Sequence, residues 1–150
     1  MLVVLSLLGT LLAATGTGGE ALTGKMAIYN DLLGDRWSCS VGKISYFVAY
    51  AVTPGNTLHG QLYSKEGTED SYFGYDATRK VYWTANADST GATESQRSPD
   101  GVTFVGTLND GTTTSKATNA FTIEGPKKWV VRARGTAGGH PYDVTATCVR

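Results

Sequence analysis

The sequence predicts an all-β protein: a single antiparallel up-and-down β-barrel of about ten strands behind one short N-terminal helix. Three observations carry that expectation. The chain beyond residue 35 is rich in Thr, Tyr, Val and Gly and poor in Leu and Glu, which is strand composition. Short alternating runs recur about every ten residues with tight-turn signals between them, the pattern of an antiparallel meander. The two cysteines, Cys39 and Cys148, sit in the first and last of these runs. A sheet that closes on itself makes those strands neighbours, so a Cys39–Cys148 bridge is expected to staple the seam.

Side-chain alternation agrees with this. Trp37, Cys39 and Val41 share one face of the first run, and Tyr142, Val144, Ala146 and Cys148 share one face of the last. Closure also removes the unpaired edges of a meander. A two-sheet sandwich of the immunoglobulin type is the competing architecture, but it usually carries its cysteines in middle strands.

The chain opens with an apolar run from Leu2 to Ala14, shorter than the roughly 20 residues that cross a bilayer. Small residues follow from Ala14 to Gly19, as in a signal-peptide cleavage region, although no Lys or Arg precedes the run. The reading is a signal peptide over residues 1–20 and a barrel domain over 21–150, with a buried N-terminal helix as the alternative. Export implies a secreted or periplasmic protein with no membrane-spanning segment in its mature chain. In such a compartment two cysteines favour one disulfide over two free thiols.

The helix is expected over residues 25–34. There Ile28, Tyr29, Leu32 and Leu33 repeat at helical spacing and Gly34 supplies a stop. Candidate strands follow at 36–41, 46–52, 58–65, 69–76, 80–87, 91–98, 103–108, 112–118, 120–123, 128–135 and 142–149. The polar run 91–98 is the weakest of them and suits a barrel rim. Asp110-Gly111, and similarly Asp100-Gly101, predict type I′ hairpins, in which both central residues take positive φ.

Composition excludes several function classes. Thirteen basic and thirteen acidic residues balance, so nothing attracts nucleic acid or an anionic membrane. There is no nucleophile elbow, zincin helix motif, phosphate loop or dinucleotide fingerprint. Two histidines and a bridged cysteine pair do not make a structural zinc site. Asp70, Asp76, Glu94 and Asp143 are the carboxylates considered for an inward position, against the plainer reading of solvated charges.

Aromatic residues are the richest resource. Parity groups them by strand face without saying which face is inside. A lumen lined by Trp37, Tyr50, His59, Gln61, Tyr63, Tyr75, Trp83 and an arginine, Arg132 or Arg134, would suit an amphipathic ligand. The alternative is that these aromatics fill the core of a small barrel.

Leu32-Leu33-Gly34-Asp35-Arg36-Trp37-Ser38-Cys39 places a helix, a glycine and a tryptophan before the first strand. This resembles the opening of lipocalin-like (calycin) barrels, whose G-x-W element closes the narrow end; here the spacing is G-x-x-W. The pattern over residues 25–150 is similar to that of small exported bacterial barrels. The resemblance implies an arginine laid across the tryptophan, with Arg132, Arg134 and Arg150 as candidates. It does not imply haem. The haem-binding nitrobindin-like members carry G-x-W-x-G-x-G and a histidine ligand, whereas Trp37-Ser38-Cys39-Ser40-Val41-Gly42 lacks the alternating glycines. His59 is the mid-strand histidine that would have to serve. The leading expectation is an exported, non-catalytic protein that binds a small apolar or amphipathic molecule. A surface-acting module of the cell envelope with a filled barrel comes second. A lipocalin-like isomerase or hydrolase using an inward His59 comes third.

Overall fold

A computed structural model describes residues 20–150. The expected signal peptide lies almost wholly outside the described residues. The chain forms ten strands: β1 (Trp37–Val41), β2 (Ile44–Thr53), β3 (Thr57–Ser64), β4 (Thr68–Asp76), β5 (Val81–Asp88), β6 (Thr93–Ser98), β7 (Thr103–Asn109), β8 (Thr114–Ile123), β9 (Lys128–Ala137) and β10 (His140–Val149). Each pairs antiparallel with its sequence neighbours, and β1 pairs with β10 to close the barrel. The up-and-down barrel is therefore the observed fold. The segments expected at 112–118 and 120–123 merge into the one strand β8, Thr114–Ile123, because Asn119 does not break it. Asn119 stays in register between Phe104 of β7 and Ala133 of β9, with its side chain pointing inward.

At the seam Cys39 stands opposite Cys148, and the two form a disulfide. Both sulfur-bearing residues are buried. This fixes the inner face of β1 and β10, and the registers carry the assignment round the barrel. Trp37, Val48, Tyr50, Leu58, Phe73, Tyr82, Phe104, Trp129 and Ala146 all fall on that inner face and are buried. The polar strand β6 follows the same rule: Gln96 and Ser98 point in, while Ser95 and Arg97 point out.

The helix is a 3₁₀ helix, Gly24–Leu32. Three residues per turn place Met26, Tyr29 and Leu32 on one face, and these are the buried ones. Ile28, expected on a buried α-helical face, is left 45% exposed. Side-chain hydrogen bonds hold this tight helix in place across one mouth. Tyr29 donates to the Gly101 carbonyl at 2.6 Å, and Tyr82 donates to that of Lys25 at 3.1 Å. Asn56 brackets the backbone of Thr23, and Asn30 brackets that of Leu22.

Trp37 donates to the Leu32 carbonyl at 2.9 Å, which ties the end of the helix to the start of the barrel. Arg150 lies over the Trp37 ring at 4.3 Å. Its guanidinium donates to the carbonyls of Asp31, Leu33 and Pro126. Of the three arginines considered for that position, Arg150 occupies it. Stacking on the indole leaves its planar donors free for carbonyls in the same plane.

The hairpins at Asp100-Gly101 and Asp110-Gly111 differ from the expected type I′. Only the glycines take positive φ, 76° at Gly101 and 88° at Gly111. The aspartates instead accept backbone N–H bonds from residues two and three positions on: Val102 and Thr103 for Asp100, Thr112 and Thr113 for Asp110. A side chain that mimics a backbone turn does not need a left-handed aspartate. Asp76 serves its turn in the same way through Thr78 and Arg79.

Candidate functional site

The helix closes one end of the barrel, and the other end opens into a cavity of about 360 Å³. Its floor and walls are apolar: Val48, Tyr50, Phe73, Phe121, Trp129 and Val131 reach it from β2, β4, β8 and β9. The aromatic residues there are braced against one another. Tyr50 meets Trp129 with ring centroids 6.0 Å apart, and Phe121 stacks on Trp129 at 6.1 Å. On the lumen face Tyr50 covers Gly60, where any side chain would strike the tyrosine ring.

Towards the mouth the lining becomes acidic. Glu69, Asp88 and Glu94 line the cavity together with Asn86 and Asn119, and among the described residues no Lys, Arg or His does. Register explains the grouping. Glu69 of β4 pairs with Asp88 of β5, and Asn86 of β5 pairs with Glu94 of β6, so adjacent strands deliver these side chains at similar depth.

Glu94 is held by neutral amides alone. Its carboxylate accepts from Asn119 at 2.8 Å, Asn86 at 3.0 Å and Gln96 at 3.2 Å, and Asn119 also donates to Gln96 at 3.0 Å. Burial pushes the Glu94 carboxyl above its ordinary range, and the bonds from Asn119 and Asn86 pull against that. Glu69 is pushed up to about 7, first by burial and then by the like charges of Glu94, Asp88 and Asp70. The phenol of Tyr46 beside it is raised to about 12 by burial and by Glu69. Burial also raises Asp88, but bonds from Thr90, Ala92 and Gly91 outweigh it and bring the carboxyl below its ordinary range.

Two polar atoms of the lining lack a partner among the described residues: the indole nitrogen of Trp129, a residue 3% exposed, and Oδ1 of Asn86. No three Asp, Glu, His or Cys side chains among the described residues are grouped as metal ligands.

The residues singled out from the sequence divide between three places. Tyr50 lines the cavity. Trp37 and Tyr75 face inward but belong to the closed end, where Trp37 meets Trp129 and Tyr75 meets Tyr82. His59, Gln61, Tyr63, Trp83, Arg132 and Arg134 have the opposite parity and lie on the outer wall. The structure does not bring these six to the lumen. Trp83 covers the outer face of Gly74, its cross-strand partner. Arg132 and Arg134 flank Asp143, with Arg132 donating at 2.8 and 2.7 Å and Arg134 at 3.2 Å. His59 stacks on Tyr72 at 4.5 Å and sits 2.7 Å from Asp70. The inward His59 that the enzymatic expectation required is absent.

Among the carboxylates considered from sequence, Glu94 is inside, Asp70 and Asp143 are outside, and Asp76 caps its turn. Glu69, Asn86, Asp88, Asn119 and Trp129 were not singled out as lining residues. Parity carried the signal: Glu69 alternates with Ser71 and Phe73, and Asn119 with Phe121. Once the cysteine face is taken as the inner one, register from the seam identifies them.

No protein-family model matches the chain, and no curated protein is similar enough in sequence to be matched to it. What the fold and site define is a closed ten-stranded barrel with one plugged end, a disulfide seam and a cavity at the other end.

Proposed function

We propose that this protein is an exported, non-catalytic, lipocalin-like barrel that holds a small amphipathic molecule in its lumen. The observation that carries the reading is the cavity of about 360 Å³, with aromatic walls and a few polar groups near its mouth. Sites for small molecules have that composition, at volumes of about 300–1,000 Å³. The helix, Trp37 and Arg150 support the lipocalin-like assignment by closing the other end. The Cys39–Cys148 bridge suits an oxidising compartment. A thermal-shift panel of small apolar and amphipathic molecules tests the reading. Binding is expected to raise the melting temperature of the intact protein and to change its tryptophan fluorescence through Trp129. A panel in which no compound does either would remove the carrier reading.

A second reading, a surface-acting module, is favoured by a different observation. Phe47, Tyr63 and Tyr72 project from the outer wall of β2, β3 and β4, each at least 40% exposed, with Arg36 over the Phe47 ring at 4.1 Å. Replacing all three with serine would abolish envelope association under that reading and leave lumen binding intact.

A further inference from the structure

We propose that the lumen selects a small organic cation, an ammonium group on an apolar body, with Glu69, Asp88 and Glu94 receiving the charge. This rests on the lumen being a binding site and names the class of molecule that fits it.

The argument begins with charge. A buried carboxylate is costly unless it is paired, and the usual partner is a Lys, Arg or His from the same protein. Here Glu69 and Glu94 are largely buried in one cavity with Asp88 at its rim, and none of those cations lines it among the described residues. Asn86, Gln96 and Asn119 satisfy the hydrogen-bonding capacity of Glu94 but leave its charge uncompensated. Glutamine at 69 would fill the same space without the repulsion. The missing positive charge is therefore assigned to the ligand.

Three further features narrow its nature. The cavity of about 360 Å³ has room for a cation much larger than a bare ion. Tyr50, Phe73, Phe121 and Trp129 lie deeper, so the rest of the molecule is apolar, and aromatic faces themselves attract an ammonium group. The buried Oδ1 of Asn86, on the residue paired with Glu94, has no partner among the described residues, so the lining offers an ammonium group one further acceptor beside the carboxylates. An anionic ligand would meet only repulsion at the mouth.

Three probes of matched shape separate the alternatives: 2-phenylethylamine, 2-phenylethanol and 3-phenylpropionate. They are titrated calorimetrically into the intact, oxidised protein at about pH 8, above the value of about 7 to which Glu69 is raised. The amine is expected to bind at least about tenfold more tightly than the alcohol, a difference of ~1.4 kcal/mol, and the carboxylate not at all. Glu69→Gln is expected to weaken the amine and leave the alcohol unchanged. Glu94→Gln, which keeps an acceptor for Asn86 and Asn119, is expected to do the same. An alcohol or carboxylate that binds as tightly as the amine would overturn the cation assignment and leave the lumen reading standing. If no probe binds the wild type or either variant, both fall. An amine whose affinity survives both substitutions would place the charge recognition elsewhere and overturn the proposal.

Discussion

Glu69→Gln should make the protein more stable at neutral and alkaline pH, although it removes a charged group from a polar rim. Burial, and then the neighbouring carboxylates, disfavour the charge of Glu69 and push its carboxyl up to about 7 from an ordinary 4.5. Below about pH 4.5 the carboxyl is protonated in both folded and unfolded chains and costs nothing. Between about 4.5 and 7 the unfolded chain ionises while the folded one holds its proton, so stability falls as pH rises. Above about 7 the penalty is complete. At about 1.4 kcal/mol per pH unit, the gap between 4.5 and about 7 is worth about 3 kcal/mol. Glutamine carries no such penalty. Urea unfolding followed by tryptophan fluorescence, at steps from about pH 4.5 to about pH 8, measures the difference directly. The variant and wild type should coincide at the acid end and diverge to about 3 kcal/mol at the alkaline end. Parallel curves across the window would refute the buried, charge-repelled Glu69.

Four other perturbations test other parts of the structure. Replacing both Cys39 and Cys148 with serine should lower unfolding free energy by about 4–5 kcal/mol, since the bridge closes a separation of 109 residues; an unchanged urea midpoint would contradict this. Arg150→Ala should cost about 1 kcal/mol, read as a lower melting temperature, and lysine should restore less than half because it lacks the planar fork. Gly106→Ala should cost about 1–3 kcal/mol in the same assay, because its Cβ would overlap the backbone carbonyl of Ser95. Bonds from Ser98, Thr103 and Val102 hold the Asp100 carboxyl down to about 2, so its contribution is present above about pH 4 and lost as pH falls towards 2. Asp100→Asn should therefore flatten that acid limb of the stability curve.

Most of the barrel was legible because antiparallel hairpins are local. Strand composition, alternation and turn residues set the nine pairings between consecutive strands or their ends, and the cysteines identified the seam that no local signal shows. The helix type was harder to read. Ile28, Tyr29, Leu32 and Leu33 form an α-helical face, but the barrel mouth accepts the narrower Met26, Tyr29, Leu32 stripe of a 3₁₀ turn. Turn geometry was misread at Asp100 and Asp110 because a carboxylate competes with the backbone for the same N–H groups. The site was legible only in part, since period-2 alternation defines two faces and assigns neither to the interior. His59, Tyr63 and Trp83 are aromatic or polar enough for a lumen, yet they sit one residue out of phase with Leu58, Leu62 and Tyr82. Glu69 and Glu94 have the appearance of solvated rim charges. What distinguishes them is a cavity with no basic residue among its described lining, and it depends on all ten strands meeting in three dimensions.

The most direct test is native mass spectrometry of the protein purified without reduction. The account predicts a mass two hydrogens short of the reduced apo value, together with a bound small molecule that leaves on collisional activation. A bare oxidised mass, from protein that also fails to take up any member of the small-molecule panel, would contradict the lumen's role as a binding site.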